Sequence, residues 1–215
     1  MLQARSRVCI YRRYGKRLTD VILSFSGLVL LAPLFLLIAI WVKLDSKGPV
    51  LFKQKRVGRN KTYFNILKFR SMRMDAPRDM PTHLLSNPHA HITRSGRFLR
   101  KTSLDELPQL WNIFIGQMSV IGPRPALWNQ EDLIFARDKY GANNVRPGLT
   151  GWAQINGRDE LEIDEKAKFD GEYVQHICFH VDLISLLVTI GSVFRENGVL
   201  EGGTGMLEKQ KLHEG

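Results

Sequence analysis

Asp105 and Glu106 are adjacent carboxylates at the head of a helix-spaced run, in a chain with 31 Lys and Arg against 21 Asp and Glu. The partial positive charge of a helix N-terminus keeps a carboxylate ionised and also attracts phosphate, so an acid placed there can meet a diphosphate as a nucleophile. A hard divalent ion such as Mg²⁺ would offset the repulsion between the acids by joining carboxylate and phosphate oxygens. The plain alternative is structural: Ser103-x-x-Glu106 fits a capping box, and acids are ordinary in a first helical turn.

Arg100, Arg124, Arg146 and Arg158 stand in LRKTSLDE, GPRP, VRPG and NGR, beside turn formers or the acid pair. A planar guanidinium suits bidentate phosphate contacts, and nearby glycines let backbone amides approach the same oxygens. Taken singly, each is equally an ordinary loop arginine making structural hydrogen bonds. Neither loop matches the P-loop or dinucleotide fingerprint, which argues against classical ATP or NAD binding. His176 and His180 have i, i+4 spacing, but no glutamate follows His176 and no third ligand is evident, so zinc is disfavoured. Asp182 lies inside an apolar run and needs a partner, either a structural arginine or a cation of the active site.

The elements that must position these residues begin with an apolar segment. Val21 to Val42 carries no charge, and as a straight helix it would reach about 33 Å against a hydrocarbon core of about 30 Å. Lys and Arg flank it on both sides, so the positive-inside rule gives no orientation for a crossing. Pro33 removes a backbone donor and clashes with the preceding turn, leaving arms of about 18 and 15 Å, each too short to span. A re-entrant segment bent at Pro33 satisfies both observations; an ordinary spanning helix with a tolerated proline is the alternative.

Beyond it, Val50 to Val57 and Thr62 to Phe69 flank GRNK and read as a β-hairpin. Arg94 to Lys101 reads as a basic helix, and another is expected to begin near Pro108 with Leu110, Trp111, Phe114 and Ile115 on one side. An amphipathic run covers Tyr173 to Phe194 and would suit the protein surface or a membrane interface. The expectation is an α+β protein with residues 1–43 as a basic arm and membrane segment, 44–199 as a cytosolic catalytic domain and 200–215 as a polar tail. A net charge of +10 implies an anionic partner, whether acidic lipid, nucleic acid or a phosphorylated substrate. The two cysteines, Cys9 and Cys178, offer no disulfide framework.

The segments KRLTDVILSF, LFKQKRVG, LKFRSM, TSLDELPQLWNIFIGQMSVIGPRP and RPGLTGWAQINGR closely resemble the bacterial sugar transferases known as monotopic phosphoglycosyl transferases, from about Lys16 to Val199. The resemblance implies a monotopic enzyme on the cytoplasmic face of the bacterial inner membrane, with interfacial amphipathic helices. It would move a sugar 1-phosphate from a UDP-sugar to polyprenyl (undecaprenyl) phosphate, release UMP and so initiate glycoconjugate synthesis. By resemblance Asp105 is the nucleophile that forms a phosphosugar adduct, and Glu106, with Asp105 beside it, holds Mg²⁺. Lys68, Arg100 and Arg124 match positions near the phosphates, and Asp182 matches a carboxylate of less settled role. Anionic headgroups are implied as partners of the basic arm and hairpin, and nucleic acid is not. Relatives often carry Ser-Pro at the bend where this chain has Ala32-Pro33, and larger relatives carry additional membrane helices, so the expectation here is the minimal catalytic form. Two rivals remain: a membrane-anchored binder of acidic lipid or nucleic acid, and a transferase in which the lipid phosphate attacks the nucleotide sugar directly.

Overall fold

The computed structural model describes residues 10–77, 88–157 and 161–195. A π-helical turn, Tyr11–Gly15, runs into helix α1, Lys16–Leu30, and a break at Leu31 leads into α2, Ala32–Asp45. The two arms are bent by 62°. Leu31 leaves helical geometry at φ −91°, ψ 3°, two residues ahead of the proline expected to make the bend. Pro33 has no N–H for the carbonyl of Val29 and its ring crowds that carbonyl, so the ladder opens just before it. The bonds on either side survive, from Leu31 N to Gly27 O at 3.0 Å and from Phe35 N to Leu31 O at 2.8 Å.

The hairpin forms as expected, with β1 Leu51–Val57 and β2 Tyr63–Phe69 antiparallel in the register Leu51↔Phe69 to Val57↔Tyr63. Its turn uses left-handed backbone at Asn60 and Lys61. Alternation puts Phe64, Ile66 and Lys68 on one face of β2. The first two enter the main core with Ile113, Met118, Val120, Ile121, Tyr173 and Ile177, so the same period carries the Lys68 ammonium inward.

Helix α3, Arg94–Lys101, follows a helical turn at Pro88–His91. Its start is fixed twice: Thr93 Oγ1 accepts from Gly96 N at 3.0 Å, and Asp45 Oδ2 accepts from Ser95 N at 2.9 Å. Gly96 is required here, because a Cβ would fall 1.9 Å from the Ser71 carbonyl oxygen. Leu99 then packs with Ile38, Val42 and Phe69 in a second core. A 3₁₀ turn, Leu104–Glu106, leads to α4, Gln109–Phe114.

One alternative for this stretch fails. Ser103 adopts the left-handed conformation at φ 56° and its side chain caps nothing, so the capping box does not form. On α4, Gln109, Asn112 and Ile113 are buried, while Trp111 and Ile115 are exposed and Leu110 packs against the main core. The cause is the neighbour. α4 lies along α1, with Phe114 against Phe25 and Leu110 beside Gly27, and the Asn112 carboxamide docks on β2 by accepting from Leu67 N at 3.0 Å and donating to Asn65 O at 2.9 Å.

Strand β3, Ser119–Ile121, is followed by α5, Glu131–Asp138, and pairs in parallel with β4, Gly148–Thr150. A helical turn at Trp152–Ile155 precedes α6, Ile163–Gln175, and α7, Phe179–Arg195. A buried Arg137–Asp170 ion pair at 2.6 Å joins α5 to α6. The expected single run from Tyr173 to Phe194 is therefore two helices, with the chain breaking at His176 to Cys178. His176 caps α6 and His180 lies in α7, so they do not form the i, i+4 pair.

Candidate active site

Lys68, Glu106 and Arg124 meet where β2, the 3₁₀ turn and the GPRP loop converge. Glu106 Oε1 accepts from Lys68 Nζ at 2.7 Å and from Arg124 Nη2 at 2.6 Å, and Oε2 accepts from Arg124 Nη1 at 3.3 Å. The GPRP loop is held against β4 by bonds from Gly122 N to Thr150 O and from Gly148 N to Pro123 O, both 2.9 Å. Arg56 Nη1 donates to Pro125 O at 3.0 Å from the hairpin side. The loop is thus braced on two sides before its arginine reaches the acid.

Burial disfavours the charged form of Glu106, but the Arg124 and then the Lys68 charges outweigh it and hold its carboxyl well below the usual range. Asp105, in the same turn, is buried at 3% exposure. Arg100 lies half-buried in the last turn of α3, immediately before that turn. The clamp places two cations against Glu106, beside Asp105.

Among the described residues no three His, Cys, Asp or Glu side chains cluster to hold a metal ion. Asp105 and Glu106 do fit the sparse set of protein oxygens that Mg²⁺ takes when substrate phosphates supply the rest. Glu106 Oε2, met by one contact of 3.3 Å, is the oxygen with coordination capacity.

The other sequence candidates within the described residues bond to different groups. Arg146 Nε donates to Gly116 O at 2.9 Å, while Arg17 donates to Ile113 O and Phe114 O at 2.7 Å. The two arginines therefore cap the C-terminal end of α4, where carbonyls lack partners, and Glu106 precedes the other end. Burial, then the Arg17 and Arg59 charges, lowers the Arg146 guanidinium. Arg158 lies outside the described residues.

Asp182 is committed to three donors: Tyr11 Oη and Lys16 Nζ at 2.7 Å on Oδ2, and Tyr173 Oη at 2.8 Å on Oδ1. Burial and then the Asp182 charge raise the Tyr173 phenol above its ordinary range, so it stays a donor. Among the described residues the partners of Asp182 are thus a lysine and two phenols, and not an arginine. Sequence reasoning missed this cluster, and missed Asp20, whose Oδ1 accepts from Val120 N at 2.9 Å and Ser119 Oγ at 3.0 Å. A signal existed: charged residues in the first turns of an apolar helix need protein partners.

Fold and site together define a class, an α+β protein that bears an exposed, bent apolar helix pair and gathers an acid pair with basic side chains beside it. The chain belongs to the bacterial sugar transferase family, whose pattern it matches over residues 11–196. It is 42% identical over 185 residues to an undecaprenyl-phosphate glucose phosphotransferase of Komagataeibacter xylinus, covering 81% of this chain and 35% of that protein. It is 36% identical over 198 residues to the exopolysaccharide production protein ExoY of Sinorhizobium fredii, covering 86% of this chain and 87% of that one. A UDP-glucose:undecaprenyl-phosphate glucose-1-phosphate transferase of Escherichia coli is 40% identical over 190 residues, 84% of this chain and 41% of its own length. The chain thus spans less than half of the two glucose transferases and most of ExoY.

Proposed function

We propose that this chain transfers a sugar 1-phosphate from a UDP-sugar to undecaprenyl phosphate, working on the cytoplasmic face of a bacterial inner membrane. The observation that carries the reading is the Lys68–Glu106–Arg124 clamp beside buried Asp105, in a chain of the sugar transferase family. An Asp105 carboxylate oxygen attacks the sugar-bearing phosphorus. The new O–P bond forms as the bond to the bridging oxygen breaks, and UMP departs with that electron pair. An oxygen of the lipid phosphate then attacks the same phosphorus, the aspartyl O–P bond breaks, and the Asp105 carboxylate is restored. Splitting one transfer into two in-line steps is what an acid nucleophile offers.

Lys68 and Arg124 fix Glu106 and keep it ionised, and the basic side chains gathered here attract the diphosphate. Glu106 with Asp105 would hold a Mg²⁺ ion, which would neutralise charge on the diphosphate oxygens.

The helix pair supports membrane residence. The buried positions of α1 are Asp20 and Ser24, whereas Leu18, Ile22, Phe25, Val29 and Leu30 are exposed. That is the reverse of a helix on a water-soluble domain and suits apolar side chains facing lipid. Both ends return to the same domain. Arg17 and Asp20 bind α4 and β3, while Arg70 donates to Ser46 O at 2.6 Å and Asp45 binds α3. The continuous helices Tyr11–Leu30 and Ala32–Asp45 are bent by 62°, and the uncharged part of the first starts only at Val21; the bend and the return of both ends to one domain favour re-entry over crossing.

The test is single-turnover incubation with a UDP-sugar labelled in the sugar and no lipid acceptor. Expected are UMP stoichiometric with enzyme, label bound to the peptide containing Asp105, and loss of both on adding EDTA. UMP appearing only with undecaprenyl phosphate, and unlabelled protein, would replace the covalent route with direct attack. No UMP in any condition would leave a binding protein.

A further inference from the structure

We propose that the Gln109 carboxamide donates a hydrogen bond to a non-bridging oxygen of the phosphoryl group in transfer. Gln109 is 1% exposed, and its Nε2 is buried with no hydrogen-bond partner. The backbone between the acid pair and α4 is tightly wound, with bonds from Leu107 N to Leu104 O, Leu110 N to Leu107 O and Trp111 N to Pro108 O. Residues three apart lie on neighbouring positions of one side of a helical stretch, so Gln109 shares a face with Glu106 before it and with Asn112 after it. The outer members of that face are satisfied. Glu106 holds Lys68 and Arg124, and Asn112 Nδ2 donates to Asn65 O and to Gln117 Oε1 at 2.7 Å. Gln109, between them and one turn from Asp105, holds a donor with nothing to give it to.

Folding does not account for that donor. A buried amide without a partner opposes stability, and methionine or leucine of similar volume would fill the space without that penalty. Phosphoryl transfer does account for it. Charge spreads over the non-bridging oxygens in the transition state, and a fixed neutral donor beside the nucleophile stabilises that charge without reorganising. Lys68 and Arg124 already spend hydrogen bonds on Glu106, which leaves a role for a donor with no prior commitment.

This assignment rests on the transferase reading, and its test separates the two. Gln109→Met and Gln109→Leu are prepared in the full chain, reconstituted in anionic vesicles, and compared with wild type by thermal melting and steady-state kinetics with a UDP-sugar and undecaprenyl phosphate. Expected are melting temperatures equal to or above wild type, with kcat reduced roughly 10²-fold and KM for the UDP-sugar little changed. Covalent adduct should also accumulate correspondingly more slowly before lipid is added. Stability gained while turnover is lost is a pattern that a structural glutamine does not give. Melting temperature and kcat falling together in both variants, or kcat unchanged in both, would overturn the assignment. An inactive wild type would overturn the transferase reading and this assignment with it.

Discussion

Two carboxylates, Asp182 and Glu106, each meet a lysine at 2.7 Å, yet their surroundings are built to different ends. Around Asp182 the bonds close: a lysine and two tyrosines occupy its oxygens and tie the start of α1 to α6 and α7. Around Glu106 they stay partly open, with a long contact on Oε2, Asp105 alongside and an unpartnered amide one turn on. A buried charge that only holds a fold is most stable when fully satisfied. A site that must accept phosphate keeps some capacity for the ligand.

Replacing Asp105, the proposed nucleophile, gives the sharpest contrast. Asp105→Asn should lower UMP release by about 10³-fold or more with little change in melting. The matching change, Asp182→Asn, should leave kcat per folded molecule near wild type. Turnover at the wild-type rate in Asp105→Asn, measured on protein free of wild-type enzyme, would erase the distinction.

Next in size is Asp182→Ala, which strands Lys16 without its anion and should cost about 3–5 kcal/mol in denaturant unfolding. A smaller loss would mean that water reaches the Lys16 ammonium.

A pH series sharpens the comparison from the other side. Glu106 is held below its unfolded value, so its contribution is fully present above the ordinary glutamate range and declines as pH falls toward the folded value. Glu106→Gln should therefore flatten the acid limb of stability against pH; an unchanged limb would show that the clamp does not stabilise the charged form.

The smallest effect belongs to Arg146. Arg146→Lys keeps a cation near the end of α4 and should change stability by about 1 kcal/mol or less, with kcat unaltered. A large loss of kcat with stability intact would move Arg146 back among the substrate contacts.

Much of this was legible in the chain itself where a local pattern fixed the answer. The hairpin formed within one residue of its expected ends, because alternation and a turn sequence act over neighbouring residues. α3 matched its expected span of Arg94 to Lys101. The bend appeared because a proline must break the ladder wherever the helix is placed. Helical periodicity says which side of α4 is apolar and not which side is buried, so the burial of Gln109, Asn112 and Ile113 came only from packing.

The amino-acid order by itself determined the acid pair, the proline within an uncharged apolar run and the inward side of β2, since bonding geometry and side-chain period are properties of adjacent residues. Only the tertiary structure decided that Lys68 and Arg124 would converge on Glu106, that Arg146 would serve the far end of α4, and that Lys16 would lock Asp182. Those pairings join residues 18 to 166 positions apart, and which charge meets which at that separation depends on how the elements pack, a cooperative outcome with no short-range signature.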